Sequence, residues 1–403
     1  MVPDENRGGD VVYRSSLFAK AAALAACLFL SGAQTATAQL FETRAAQAHM
    51  IDAETGAVLF SRNADAKVPP ASLAKLMTME MVFDAVENGR LSLSDEFYVS
   101  EHAWRTGGAV SGTATMFAEV KSEVPLEALI QAVIVQAAND GCIVIAEGMA
   151  GSEENFARMM TEHARAIGMK SSVFVNATGL PASGQHVTMR DLVLLARHIW
   201  REHPDFYRRY AQEAFTWNKI FQRNRNPLLR MDIGAEGMAI GFAEESGYAL
   251  VGAIDRGDRR LFVAMSGLES AEQRAEEARK ILDWGVRAFA KTEVFAAGEV
   301  IGRVSVFGGD RSDLALRARE PVVVFQPVAD ADRLTARIVY QGPVAAPVEE
   351  GMRIGTLEVW VGDTLSQQTP LYAAEDVGVG RLSHRALDAV GELLTGWLRK
   401  YRS

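Results

Sequence analysis

Cysteine is scarce in this chain, and its scarcity excludes two kinds of site. Only Cys27 and Cys142 occur among 403 residues, which is too few for a disulfide framework, and they lack the CxxC or Cys/His spacing of a zinc site. The seven histidines are scattered and form no HExxH helix, the pattern that presents two imidazoles to one zinc ion. We therefore expect no metal and no other cofactor.

Basic residues are also fewer than acidic ones. Lys and Arg number 42 against 51 Asp and Glu, which gives a net charge of -9. A protein that binds nucleic acid through its phosphates needs the opposite balance, so nucleic acid is not an expected partner. Hydrophobic residues make up 48% and charged residues 23% of the chain, which is typical of a globular protein with more than one domain at this length.

The long apolar run near the N-terminus is too short to span a bilayer permanently. It lies within a segment that has the order of a secretory signal: basic residues, an apolar run and an A-x-A cleavage site (Arg14 and Lys20, 21–30, and 36–38, within residues 1–38). Residues 24–27 also resemble a lipoprotein box, although apolar residues continue beyond Cys27. Export is expected, and cleavage after residue 38 would leave Cys142 as the only thiol.

After this signal, apolar periodicity predicts a mixed fold. Residues 45–61 predict a hairpin, and residues 248–253 and 261–265 predict a second pair of strands. Helical repeats occupy most of the sequence between and after them (72–87, 125–150, 153–167, 189–202 and 271–290). From residue 291 to 371, short β-branched runs broken by Gly and Pro predict a small β-sandwich. We place a domain boundary near residue 290.

The C-terminal residues, 381–403, predict an amphipathic helix. Its apolar residues recur at helical spacing, and its end combines Trp397 with Arg399, Lys400 and Arg402. A helix docked on the β-domain fits this pattern. A tryptophan beside several bases near a free end favours an anchor on a membrane surface.

The strongest chemical signal is the pair Ser72 and Lys75. These residues stand at i and i+3 at the start of an apolar helix, so hydroxyl and amine share one face. A lysine with a lowered pKa can deprotonate such a serine, and the helix N-terminus favours a developing oxyanion. By itself S-x-x-K is a weak motif, because about two occur by chance in a chain of this size. A capping serine followed by a solvated lysine explains the same residues.

The sequence around this motif resembles the serine-type D-Ala-D-Ala carboxypeptidases, the low-molecular-mass penicillin-binding proteins. The similarity covers nearly all of residues 45–290. The segments that carry it are PPASLAKLMT (69–78), GRLSLSD (89–95), VSEHAWR (99–105), IVQAAND (134–140), NATGL (176–180), TMRDL (188–192), QRNRN (222–226) and LDWG (282–285). It implies a β-lactamase/transpeptidase-like catalytic domain of α/β (α+β) class at 39–290, a small all-β sandwich domain at 291–380, and the amphipathic anchor helix at 381–403.

The resemblance also implies a function. Members of this family remove the terminal D-Ala of peptidoglycan stem peptides through an acyl-enzyme during cell-wall biogenesis. Ser72 would be the nucleophile and Lys75 its base, and β-lactams would acylate the same serine. The expected location is the periplasm, at the outer face of the inner membrane.

Two motifs that normally complete such a site are altered. Ala137-Ala138-Asn139 stands where the family has S-x-N, and Ala239-Ile240-Gly241 stands where it has K-T-G. Ala137 cannot relay a proton towards the leaving group, and the loss of one positioned acid or base typically costs ~10²- to 10⁴-fold in rate.

The altered K-T-G has electrostatic consequences. Without a lysine at position 239 one like charge is missing, so the pKa of Lys75 should rise relative to the family. Ile240 lacks the hydroxyl that would bind the substrate carboxylate. The remaining candidates for substrate binding are Asn139, Arg225 and Gly241.

Two functional interpretations therefore remain open. The chain is an attenuated carboxypeptidase or related acyl transferase, or it is a catalytically silent homologue that binds peptidoglycan or a cell-wall enzyme. The intact pair Ser72 and Lys75 favours the first. A class A β-lactamase is a weaker alternative, because it would still require K-T-G and a deacylating glutamate.

Overall fold

The computed structural model describes residues 11–13, 41–329 and 334–381. They form two compact units, one of residues 41–287 and one of residues 11–13 with the residues from 288 onward. Most of the predicted signal lies outside the described residues, and only strand β1 (Val11–Tyr13) of it is described. The predicted C-terminal helix lies outside them as well, apart from its first residue. Among the helices that are described, none combines the length and the hydrophobicity needed to cross a bilayer.

The larger unit is a mixture of helices and antiparallel strands, as the sequence predicts. Its strands are β2 (Gln47–Asp52), β3 (Val58–Arg62), β4 (Glu96–Tyr98), β5 (Glu123–Pro125), β6 (Ala214–Trp217), β7 (Ile220–Arg223), β8 (Ala235–Ala243), β9 (Gly247–Asp255) and β10 (Arg260–Leu268). Its helices are α1 (Lys75–Glu87), α2 (Glu101–Gly107), α3 (Leu126–Gln136), α4 (Asn139–Ala150), α5 (Glu153–Ala166), α6 (Met189–Glu202), α7 (Pro204–Tyr207) and α8 (Ala271–Arg287).

A five-stranded antiparallel sheet in the order β3-β2-β10-β9-β8 is the frame of this unit. Both predicted hairpins are confirmed, since β2 pairs with β3 and β9 pairs with β10. Strands β9 and β10 are buried along almost their whole length because α6 and α8 pack on the sheet. Strand β8 is the last in the order, so within the described residues it has a strand neighbour on one side only.

The helices divide into buried and amphipathic ones. Helices α1, α3 and α4 are apolar on most faces and supply fully buried side chains such as Phe83, Leu129 and Ile143. Helix α6 has the predicted bounds, because the side chain of Thr188 caps its N-terminus by accepting a hydrogen bond from the backbone N–H of Asp191.

One predicted helix is wrong. The pattern of residues 125–150 predicts a single long helix, whereas the structure has α3 and α4 with a sharp break between them. Ala137 ends α3 in the left-handed conformation, at φ 56° and ψ 41°. A residue in that conformation cannot continue a right-handed helix. The apolar pattern runs through the break because both helices are buried.

The smaller unit is β-rich, as predicted. Its strands after β1 are β11 (Phe289–Phe295), β12 (Val300–Phe307), β13 (Asp313–Arg317), β14 (Val322–Pro327), β15 (Leu334–Tyr340), β16 (Val344–Ala345), β17 (Arg353–Val361) and β18 (Thr364–Ala373). They form a seven-stranded sheet, β1-β15-β17-β18-β13-β12-β16, and the pair β11-β14. Val324 of β14 shares a hydrophobic core with Val304 and Leu357 of the larger sheet, which joins the two sheets.

Candidate active site

Ser72 and Lys75 meet at the start of α1. A 3-10 turn at Ala71–Ala74 precedes the helix, and it places the two side chains on one face as their spacing predicts. Nζ of Lys75 lies 2.9 Å from Oγ of Ser72 and donates to the backbone carbonyl of Thr178 at 2.6 Å. The amine is thus held by a fixed backbone acceptor and directed at the hydroxyl.

Burial tunes the basicity of this amine. Lys75 is only 4% exposed, and desolvation lowers the pKa of its ammonium from 10.5 to about 8, with a smaller lowering contribution from the charge of Arg225. About a tenth of the lysine is then the free base at neutral pH. The predicted effect of the missing lysine at position 239 is relative to the family and stays a prediction, whereas burial, which the motif alone does not reveal, dominates the pKa of Lys75 itself.

Strand β8 approaches the serine closely at Gly241. A β-carbon at this position would lie 3.0 Å from Cβ of Ala71 and 3.2 Å from the backbone nitrogen of Ser72, tighter than ordinary van der Waals contact. Arg274, nearly buried, donates to the carbonyl oxygen of Gly241 at 3.4 Å. Gly241 therefore lets the edge strand lie against the turn that carries Ser72.

One cleft brings together six of the eight predicted site residues. Its lining includes Ser72, Lys75, Ala137, Arg225, Ala239 and Ile240. The positions of the altered motifs thus face the dyad. Ala137 and Ala239 offer methyl groups in place of a hydroxyl and an ammonium, and Ile240 offers a butyl group in place of a second hydroxyl. Arg225 is exposed there, and within the described residues no side-chain hydrogen bond or ion pair engages its guanidinium. Arg225 and Lys75 are the two cations in the described lining of the cleft.

The other two predicted residues, Asn139 and Gly241, are outside the described lining of this cleft. Asn139 is 4% exposed, and its Nδ2 donates to Oγ1 of Thr113 at 2.9 Å. Its Oδ1 is buried and has no hydrogen-bond partner among the described residues. In this structure Asn139 ties the start of α4 to the loop between α2 and β5.

The neighbouring Asp140 also holds that loop. Its buried carboxylate accepts hydrogen bonds from Oγ1 of Thr115 at 2.6 Å and from the backbone N–H groups of Met116 and Ala118. Burial raises the pKa of Asp140, while these hydrogen bonds oppose the rise. The bonds fix the loop to the N-terminus of α4, beside the break at Ala137.

Two groups of the site could not be predicted from the sequence. The carbonyl of Thr178 is a backbone atom, so residue type does not reveal it. Tyr210 lines the cleft with its hydroxyl buried and without a partner among the described residues, and burial raises the pKa of that hydroxyl. Tyr210 follows two arginines in the sequence, and nothing in that pattern predicts that its hydroxyl lies in the cleft.

The fold and the dyad define a serine acyl-transfer site of the penicillin-recognising class, and comparison with known proteins gives the family. The family model described as D-alanyl-D-alanine carboxypeptidase matches residues 33–268, and the one described as penicillin-binding protein 5, C-terminal domain, matches residues 289–379. The chain belongs to the D-alanyl-D-alanine carboxypeptidase family.

Individual relatives match along most of their length. The chain is 33% identical over 398 residues to the D-alanyl-D-alanine carboxypeptidase DacC of Escherichia coli, covering 96% of this chain and 99% of the relative. It is 32% identical to DacD of the same organism, covering 84% and 88%. The crystal structure of penicillin binding protein 5 from Haemophilus influenzae matches with a TM-score of 0.72 and 29% identity, covering 84% of this chain and 99% of that one. The predicted family and fold class are confirmed.

Proposed function

We propose that this chain is a serine-type D-Ala-D-Ala carboxypeptidase of peptidoglycan stem peptides whose turnover is attenuated. The observation that carries the proposal is the contact of the Lys75 amine with the Ser72 hydroxyl, with the lysine pKa lowered to about 8. The proposal is supported by the names of the relatives: the chain matches two D-alanyl-D-alanine carboxypeptidases over 88% and 99% of their length.

In this mechanism Oγ of Ser72 attacks the carbonyl carbon between the two D-Ala residues, and neutral Lys75 takes the hydroxyl proton. The C–N bond then breaks, the leaving D-Ala amine takes a proton from the Lys75 ammonium, and the shortened peptide stays on Ser72 as an ester. Water hydrolyses that ester, with Lys75 as the base. A β-lactam reacts in the same way by opening its ring, and its leaving amine stays attached.

The same cleft explains why turnover is attenuated. Lys75 must both receive and return the proton, because Ala137 offers no hydroxyl that could relay it to the leaving amine. The terminal carboxylate of the substrate meets Arg225 but neither an ammonium at position 239 nor a hydroxyl at position 240. Asn139 and the backbone at Gly241 complete the proposed substrate-binding set.

The second candidate is a silent homologue that binds stem peptides or a cell-wall enzyme. The apolar lining contributed by Ala137, Ala239 and Ile240 favours it, since all three groups that normally assist catalysis beyond the dyad are missing. Binding through the cleft and through the β-rich unit does not require the dyad.

The deciding experiment is the intact mass of the purified chain after incubation with benzylpenicillin. The proposal expects a mass gain of one penicilloyl group on the wild type and none on Ser72→Ala. Ser94→Ala, an exposed serine, is the matched control and should be labelled like the wild type. Release of D-Ala from a pentapeptide should follow the same pattern. If no adduct forms on the wild type after prolonged exposure, the silent homologue is correct.

We further propose export through residues 1–38 and attachment to the outer face of the inner membrane through residues 381–403. The support is the signal-like order of the N-terminus and the basic, tryptophan-containing end of the chain. Deleting residues 382–403 should move the exported protein from the membrane fraction to the soluble periplasmic fraction. An unchanged distribution would contradict the anchor.

A further inference from the structure

A second polar cluster lies in the helical part of the larger unit. Glu80, in the middle of α1, is fully buried. Three imidazoles converge on one of its oxygens: the distances from Oε1 to Nε2 are 3.1 Å for His163, 3.0 Å for His198 and 3.3 Å for His203. His163 comes from α5, His198 from α6, and His203 follows the end of α6.

The two oxygens of Glu80 are used very unequally. Oε1 faces all three histidines, whereas Oε2 is buried without a hydrogen-bond partner among the described residues. An ionised carboxylate has about four acceptor sites over its two oxygens, so the crowding of donors on Oε1 leaves the buried Oε2 without a partner, which is costly. The arrangement is that of groups directed at a common point beside Oε1.

His203 is oriented by a second carboxylate, that of Glu87. Its Nδ1 lies 2.6 Å from Oε2 of Glu87, and because a carboxylate only accepts, Nδ1 is the donor. Its Nε2 lies 3.3 Å from Oε1 of Glu80. Burial lowers the pKa of His203 while the hydrogen bonds to Glu80 and Glu87 raise it, to about 9 in total, so the imidazolium donates to both carboxylates and a metal ion at this point takes the place of the Nε2 proton. A histidine that donates its other N–H to a carboxylate is the usual arrangement of a metal ligand.

The distances fit such a cation. Glu80, His198 and His203 each offer one ligand atom, and these atoms lie within 4.8 Å of one another. Ligands at about 2.0–2.1 Å around a tetrahedral ion are about 3.3–3.4 Å apart. The separations of 3.0 Å and 3.3 Å from Oε1 to the two imidazoles are close to that edge length. Two imidazole nitrogens and a carboxylate suit zinc and its neighbours rather than magnesium or calcium.

We propose that Glu80, His198 and His203 bind one divalent transition-metal ion of the zinc class. Glu87 orients His203, and His163 orients the Glu80 carboxylate. The ion would tie α1, the helix that begins with Lys75, to α6. Of the three proposed ligands, His198 also lines a surface groove, together with Gly56, Val193 and Arg197.

The test is metal binding by the purified full chain after metal removal with a chelator. Titration with Zn²⁺ against a chromophoric chelator should give one ion per chain, and Co²⁺ should give the visible absorption bands of a nitrogen- and oxygen-ligated site. His198→Ala should weaken Zn²⁺ binding by more than about 100-fold, and Glu87→Gln by about 10- to 100-fold. His102→Ala, an exposed histidine on α2, is the matched control and should bind as the wild type does.

Stability separates loss of the site from loss of the fold. Zn²⁺ should raise the Tm of the wild type and of His102→Ala, since a ligand that binds only the folded chain stabilises it. It should not raise the Tm of Glu80→Gln or His198→Ala at the same concentration, while circular dichroism shows both to be folded. Absence of saturable Zn²⁺ binding, or equal binding by His198→Ala, would mean that the imidazoles only hydrogen-bond Glu80. No readout uses Ser72, so this outcome is independent of the penicillin experiment.

Discussion

Gly179 lies directly against the carbonyl oxygen of Ala71: a β-carbon at Gly179 would be 1.7 Å from that oxygen. The φ of Gly179 is +79°, and Oδ1 of Asn176 accepts its backbone N–H at 2.7 Å. This contact holds the segment whose preceding carbonyl, that of Thr178, accepts from Lys75. The geometry of the dyad therefore depends on a residue that has no side chain.

Replacement of Gly179 by alanine should disrupt the site. Gly179→Ala is expected to abolish penicillin acylation and to lower the Tm, because the clash is with backbone. Gly184→Ala is the matched control: Gly184 has a similar φ of +85° but nothing within 4 Å of an added β-carbon. It should cost only the strain of a left-handed alanine, about 1–2 kcal/mol, and keep its acylation rate. Equal rates for the two variants would show that the contact with Ala71 is unimportant.

Acylation should depend on pH through Lys75. Only the neutral amine accepts the Ser72 proton, so the rate should rise with pH and level off above the lysine pKa of about 8. Stopped-flow measurement with a chromogenic β-lactam gives the midpoint. A midpoint near the ordinary value of 10.5 would show that Lys75 is not desolvated as the structure indicates.

Arg225 should influence the same midpoint. Its charge contributes to lowering the pKa of Lys75, so Arg225→Gln should move the midpoint to higher pH. It should also raise the KM for a peptide with a free terminal carboxylate. Arg230→Gln, an exposed arginine just beyond, serves as the control. If KM is unchanged, another group binds the carboxylate.

Restoring the altered motifs should restore rate. The triple variant Ala137→Ser, Ala239→Lys, Ile240→Thr places the missing groups in the cleft that holds Ser72 and Lys75. Acylation should rise by ~10²- to 10⁴-fold. Ala243→Lys, which adds a lysine on the same strand beside a different groove, should leave the rate unchanged. No gain in the triple variant would indicate that the backbone of the site differs from that of an active enzyme.

The position of the loop between α2 and β5 should depend on Asp140. Asp140→Asn replaces an acceptor by an amide that cannot serve all of the donors from Thr115, Met116 and Ala118. The free energy of unfolding should fall by about 1–3 kcal/mol in a denaturant titration. Asp258→Asn, in an exposed turn, should change it little. Equal stabilities would show that the loop is held by other contacts.

Much of the fold follows from local pattern. The bounds of α6 and the two hairpins could be predicted because capping residues, turns and alternation are local signals. The break at Ala137 could not, since alanine is a poor predictor of a left-handed residue and buried helices on both sides share one apolar pattern. Residues of both helices belong to the same hydrophobic core.

Part of the site chemistry could be predicted from the sequence and part could not. Ser72 and Lys75 are three residues apart, so one motif reveals both. The histidines around Glu80 come from α5 and from α6 with its C-terminal end, and the expectation of no metal site rests on their scattered positions in the sequence. A glutamate within the apolar stretch of α1 was the available signal, because a buried charge requires partners.

The position of β8 at the end of its sheet has a consequence for the kinetics. Its main-chain groups beside Ala239 and Ile240 are unaffected by the side chains those residues carry, so an extended peptide can still bind to this edge. Contacts made equally in the ground and transition states determine KM, whereas the proton relay lost at Ala137 lowers kcat. On the proposed function, a chain that keeps these contacts but lacks the proton relay would occupy stem peptides in proportion to its abundance rather than its turnover, and would withhold them from faster enzymes.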